Sequence, residues 1–120
     1  MKKNYRKELG AWGEKIAADY FLRKKYEIIG KNYRCREGEI DLICRKADSL
    51  YFIEVKTRTS PAFGPGEESV GEKKIEKIQA AIYKYLAENK IDYAKWHLLI
   101  FSLMLDKKKK KYRARIIIPL

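Results

Sequence analysis

Two acids stand among aromatic and aliphatic residues in GEIDLICRKADSLYFIEVKTR, Gly38 to Arg58: Asp41 in the first apolar run and Glu54 in the second, with Lys56 two places further on. A lone carboxylate is costly to bury. Acids are also the scarcer charge in this chain, which carries 28 Lys+Arg against 16 Asp+Glu. Two carboxylates that hold a divalent cation, with a lysine nearby, are a sufficient apparatus for phosphodiester hydrolysis. Carboxylate oxygens are the ligands that Mg²⁺ prefers, a bound cation activates water, and an ammonium beside it positions that water or steadies the pentavalent phosphate. In a strand, Glu54 and Lys56 share a face, roughly 7 Å apart along the chain. Asp41 shares its face with Glu39 and Ile43.

Whether the acids meet depends on the connector. A turn centred between Ala47 and Asp48 pairs Ile43 with Phe52, Leu42 with Ile53 and Asp41 with Glu54 in antiparallel register. A slip of one residue would send the acids to opposite faces and mismatch both hydrophobic layers. The apolar pattern therefore predicts the register that joins them. Like charges directly opposite destabilise a sheet, which is the reason to expect a cation between them.

The positioning elements follow from periodicity. Leu9, Trp12, Ile16 and Tyr20, widened by Ala17 and Phe21, predict an amphipathic helix from about Asn4 to Lys25. Glu14 lies at the edge of that stripe, beside Gly10, Ala17 and Ala18, small residues that would let the helix approach the sheet. It is a candidate further ligand, direct or through water, with ordinary helix solvation as the alternative. YEIIGKNYR, GEIDLIC and LYFIEVKT predict three strands, and RTSPAFGPGEES, Arg58 to Ser69, predicts a mobile loop. A second helix is expected at about Glu72–Glu88, with Ile75, Ile78, Ile82, Tyr85 and Leu86 inward. KWHLLIFSLML and YRARIIIPL read as two more strands joined by DKKKKK, a solvated hairpin tip.

The expected fold is α/β: a mixed central sheet of about five strands flanked by helices, in the order αβββαββ, forming a single domain over residues 1–120. The long connection from the third to the fourth strand suits a parallel crossover, and the short ones suit antiparallel pairs.

A net charge of +12 in 120 residues makes nucleic acid the leading partner. A membrane partner is not expected, because no apolar segment approaches the ~20 residues that span a bilayer. The N-terminus lacks the apolar core of a signal peptide, which points to the cytoplasm. Cys35 and Cys44 lack CxxC spacing and His97 is the sole histidine, so zinc and redox chemistry find no support. Both thiols are expected to be reduced and semi-buried.

A helix with Gly10 and Glu14, then GEIDLI, then FIEVKTR, resembles the YraN-like family of small uncharacterised proteins. More broadly, it resembles the PD-(D/E)xK nucleases, including the archaeal Holliday-junction resolvases. The resemblance spans nearly the whole chain and rests on Asp41 with Glu54-x-Lys56. It implies a restriction-endonuclease-like fold, Mg²⁺ or Mn²⁺ held by Asp41 and Glu54, Lys56 as the catalytic lysine, and Glu14 as an accessory acid. Ile40 stands where the name of the superfamily has Pro.

The expected activity is metal-dependent hydrolysis of phosphodiester bonds in DNA, with branched or structured DNA as the substrate the resemblance suggests. Symmetric cutting of a junction would call for a homodimer. Lys73, Lys74, Lys77 and Arg58 are candidate phosphate contacts, Lys74 first among the lysines because it lies one turn before Ile78. The alternative reading is a nucleic-acid-binding protein, of DNA or RNA, that keeps a nuclease fold without turnover. For Asp41, Glu54 and Lys56 themselves, the alternative to a site is a cross-strand ion cluster that only holds register.

Overall fold

The computed structural model describes residues 2–59, 71–91 and 95–119. The elements run α1 (Lys2–Arg23), β1 (Glu27–Arg34), β2 (Glu39–Lys46), β3 (Ser49–Thr59), α2 (Glu72–Glu88), β4 (Trp96–Asp106) and β5 (Lys111–Ile117). The strands form one five-stranded sheet in the order β1-β2-β3-β4-β5. β3 and β4 are parallel, Leu50 beside Trp96 through Thr59 beside Leu105. The other three pairings are antiparallel. This is the expected α/β order and the expected mixed sheet.

Each helix covers one face. Ala17, Ala18 and Phe21 of α1 pack on Leu42, Cys44, Ile53, Leu99, Phe101 and Leu103. Ile78, Ala81, Ile82 and Leu86 of α2 pack on Ile40, Ile43, Leu50, Phe52 and Leu98. Alternation along β3 therefore sends Ile53 and Val55 towards α1, and Phe52 and Glu54 towards α2. Both helices stop in the same way. Tyr26 N–H donates to the Phe21 carbonyl at 2.9 Å and Lys25 N–H to Leu22 at 3.0 Å; Ile91 and Lys90 repeat this on Leu86 and Ala87. Lys25 and Lys90 take the left-handed conformation (φ 70° and 53°) that glycine more often fills.

Two local expectations need correction. Arg58 was placed in the loop after β3 but lies within that strand, which runs on to Thr59 because β4 continues to pair with it. The remainder of that expected loop, from residue 60, lies outside the described residues. Gly10, expected to admit the helix to the sheet, has open space where a Cβ would be. The close approach is at Gly13, where a Cβ would collide with Thr57 Oγ1 and come within 3.2 Å of Thr57 Cβ. Gly13 and Ala17 lie one turn apart on the face that meets the sheet. Among the described residues no helix is long and apolar enough to cross a membrane.

Candidate functional site

The β2–β3 hairpin turns at Ala47 and Asp48, with Ala47 at φ 55°, and pairs Ile43 with Phe52 and Leu42 with Ile53. The pairing stops one step before Asp41 and Glu54. There the Asp41 carboxylate takes the place of a strand neighbour: its Oδ2 accepts the Val55 N–H at 2.7 Å. The strand on the other side of Asp41 is irregular at the same point. On β1, Tyr33 pairs with Ile40 and Lys31 with Leu42, so Asn32 falls opposite Asp41, and Asn32 has a left-handed φ of 51°. Ile40 and Ile43, three residues apart, both join the α2-side core. Asp41 therefore shifts out of plain alternation, and its carboxylate turns onto the β3 backbone.

Glu54 points to the α2 side and is only 6% exposed. Its Oε2 lies 3.4 Å from Lys74 Nζ, while its Oε1 is buried with no hydrogen-bond partner. Burial pushes the Glu54 carboxyl up to about 7, helped by the negative charge of Asp41 beside it and opposed by Lys74. Asp41 is also raised, chiefly by burial, against the stabilising Val55 N–H and a hydrogen bond with Glu54. Two carboxyls this close make it costly for both to be ionised at once.

Glu14 reaches the same cleft from α1. Its carboxyl is raised by burial and then by the charge of Asp41, while a hydrogen bond with Asn32 acts the other way. The cleft, about 930 Å³, is lined by Glu14, Asp41 and Glu54 together with Lys56 and Arg58 from β3. The Gly13–Thr57 contact sets the helix at this distance, so the glycine next to Glu14 positions it. Among the described residues no three His, Cys, Asp or Glu side chains are grouped closely enough to hold a metal ion by themselves. Asp41 and Glu54 form a pair, and Glu14 a wall.

The expected phosphate contacts divide. Lys74 faces the acids and neutralises part of Glu54. Lys77 lies with Arg34, Glu39 and Lys74 in a smaller depression of about 290 Å³. Lys73 lies further out, beside Glu37 and Glu76. Gly38 explains why Lys74 stands where it does: a Cβ there would be 2.8 Å from the Lys77 carbonyl oxygen, so the β1–β2 turn touches α2 directly. Neither cysteine lines the acid cleft. Both are free; Cys35 is part-buried as expected, whereas Cys44 is fully buried, its thiol pushed up to about 12 by burial.

Sequence reasoning found the acids but missed their fixtures: the Val55 N–H, Asn32, and the Gly13 and Gly38 contacts. The small pair Gly13 and Ala17, four apart, was the available signal for the helix approach. Asparagine is among the residues that most readily take the left-handed conformation, but the strand-like run around Asn32 gives no reason to expect it there.

These features define an α/β protein whose mixed sheet opens an acid-lined cleft along the C-terminal half of its third strand. More particularly, the chain belongs to the family described as Uncharacterised protein family UPF0102, whose profile matches residues 13–115, in keeping with its YraN-like motifs. A UPF0102 protein of Syntrophomonas wolfei is 39% identical over 105 residues, 88% of this chain and 91% of that protein. One from Alkaliphilus oremlandii is 41% identical over 107 residues, 89% and 92% of the two chains. One from Caldanaerobacter subterraneus is 46% identical over 89 residues, 74% and 73%.

Proposed function

We propose that this chain is a divalent-cation-dependent nuclease that hydrolyses phosphodiester bonds in DNA, on a fold of the PD-(D/E)xK, restriction-endonuclease-like kind. The observation that carries the reading is the meeting of Asp41 and Glu54 on the floor of an open cleft, with one buried Glu54 oxygen left without a donor. A buried acceptor without a partner is costly, and a hard cation satisfies it together with the neighbouring acid. Asp41 and Glu54 would hold Mg²⁺ or Mn²⁺, with Glu14 acting through water. Such an ion, when bound, polarises a phosphate oxygen and acidifies water.

The protein's own side chains supply the rest. Asp41 is held by the Val55 N–H and so keeps its orientation. Lys56, one residue beyond Val55 and on the cleft, offers an ammonium to the attacking water or to the negative charge on the oxygens of the pentavalent phosphate. Lys74, beside Glu54, and Arg58, on the cleft wall, would contact phosphates, and the positive surface would hold the backbone without reading sequence.

A second reading is favoured by the Lys74–Glu54 ion pair, which partly fills the acid site without any ion. It describes a binder of nucleic acid without turnover. The two part in one assay: labelled branched, duplex and single-stranded DNA incubated with Mn²⁺, Mg²⁺ or chelator, using wild type and Asp41→Ala, Glu54→Ala and Lys56→Ala. The nuclease cuts only with metal, and each substitution lowers the rate at least about a hundredfold. Tight binding without cutting, unchanged or improved by removing the acids, contradicts it.

A further inference from the structure

Beside the acid cleft, and sharing Tyr5 and Leu9 with it as a common wall, lies a second groove of about 550 Å³ between α1 and the β4–β5 hairpin. Trp12 and Tyr112 meet edge to face on its wall, ring centroids 5.4 Å apart at 86°. Lys107 Nζ sits 3.9 Å above the Tyr5 ring, and Lys110 lies on the rim. Tyr5 is 38% and Tyr112 47% exposed. Both tyrosines therefore keep a substantial part of their surface open to water, although Lys107 covers one side of Tyr5.

We propose that this groove seats an unpaired base of single-stranded nucleic acid, a flap or frayed strand whose backbone continues into the Asp41–Glu54 cleft. This rests on the nuclease reading and adds a substrate preference to it. Three features select the occupant. Aromatic faces interleaved with lysines suit a base and its flanking phosphate, since every base has a π-face and stacking is tolerant of sequence. Lys107 to Lys111 extend the positive charge along the hairpin tip, complementary to a polyanion. The shared wall makes the groove continuous with the acids, so a strand in one is led to the other. A base within a duplex is already stacked on both faces and cannot offer one without leaving the helix. Glu8, also on the groove, repels phosphate from its own side and directs the backbone to the lysine side.

The test separates base stacking from charge. The affinity of the full chain, in chelator, is measured by fluorescence anisotropy for a labelled thymidine strand and for an abasic strand of equal length and charge. Wild type should prefer the thymidine strand by about tenfold. Tyr112→Leu, and independently Tyr5→Leu, should remove most of that preference. Tyr112→Phe should keep it, and Tyr83→Ala, an exposed ring elsewhere on the surface, should leave it intact. An equal preference in wild type and both leucine variants, or none in wild type, overturns the inference. A chain that cuts duplex DNA but shows no preference for bases loses this proposal alone, whereas one that binds no nucleic acid loses the nuclease reading as well.

Discussion

A glutamate as enclosed as Glu54, with a second acid against it, keeps its proton towards neutral pH unless a cation takes the proton's place. This linkage has a definite sign. The folded-state value of about 7 lies above the ordinary value of 4.5, so between those limits the folded chain holds more protons than the unfolded one. The stabilisation is complete below about pH 4.5 and is lost as pH rises through 7. In chelator, wild type should therefore melt at a lower temperature at pH 8 than at pH 5. Glu54→Gln should flatten that slope and gain on the order of 2 kcal/mol at pH 8. Thermal melting at the two pH values checks this, and identical slopes in both proteins would count against a protonated pair. Asp41 and Glu54 were legible because acids interrupt otherwise apolar strands and only one register satisfies both layers. The state of the pair was not legible, since it depends on the Val55 N–H and on Lys74 arriving from a helix that begins well beyond β3.

At the scale of elements, the site depends on how closely α1 lies on β3. Ala is ordinarily the better helix former by about 1 kcal/mol over Gly, yet at Gly13 a methyl group would meet Thr57. We expect Gly13→Ala to lose about 1–3 kcal/mol in urea unfolding, and Thr57→Ala in the same chain to restore part of it. A stabilised Gly13→Ala would contradict the close contact. The strands and α2 could be read from the sequence because their apolar residues recur at spacings of two and of three to four, and those faces are buried. α2 was anticipated at Glu72–Glu88, where it is found. Departures occur where conformation depends on a partner. Gly10 and Gly13 look alike in sequence, but only Gly13 has Thr57 against it. Arg58 reads as loop beside Pro and Gly, but β4 extends the ladder past it.

Across the whole molecule, charge and chemistry are separated. The net +12 is a property of the surface: the hairpin turn from Lys107 to Lys110 is exposed, as are Lys73 and Lys77 on α2. The field was legible from composition, whereas the joining of two grooves at Tyr5 and Leu9 required the packed fold. Binding to DNA by such a field should weaken steeply with salt, by about a hundredfold or more between about 50 and about 200 mM, as anisotropy titrations would show. Affinity indifferent to salt would deny the surface that role. The same field makes uptake of a divalent cation informative, because a chain of this net charge repels cations everywhere except at a local group of acids. The most direct measurement is a calorimetric titration of the metal-free protein with Mn²⁺ at pH 7. The account predicts saturable binding with release of protons, lost in both Asp41→Asn and Glu54→Gln. Absence of binding, or binding that survives both substitutions, would contradict the claim that this acid pair is a cation site.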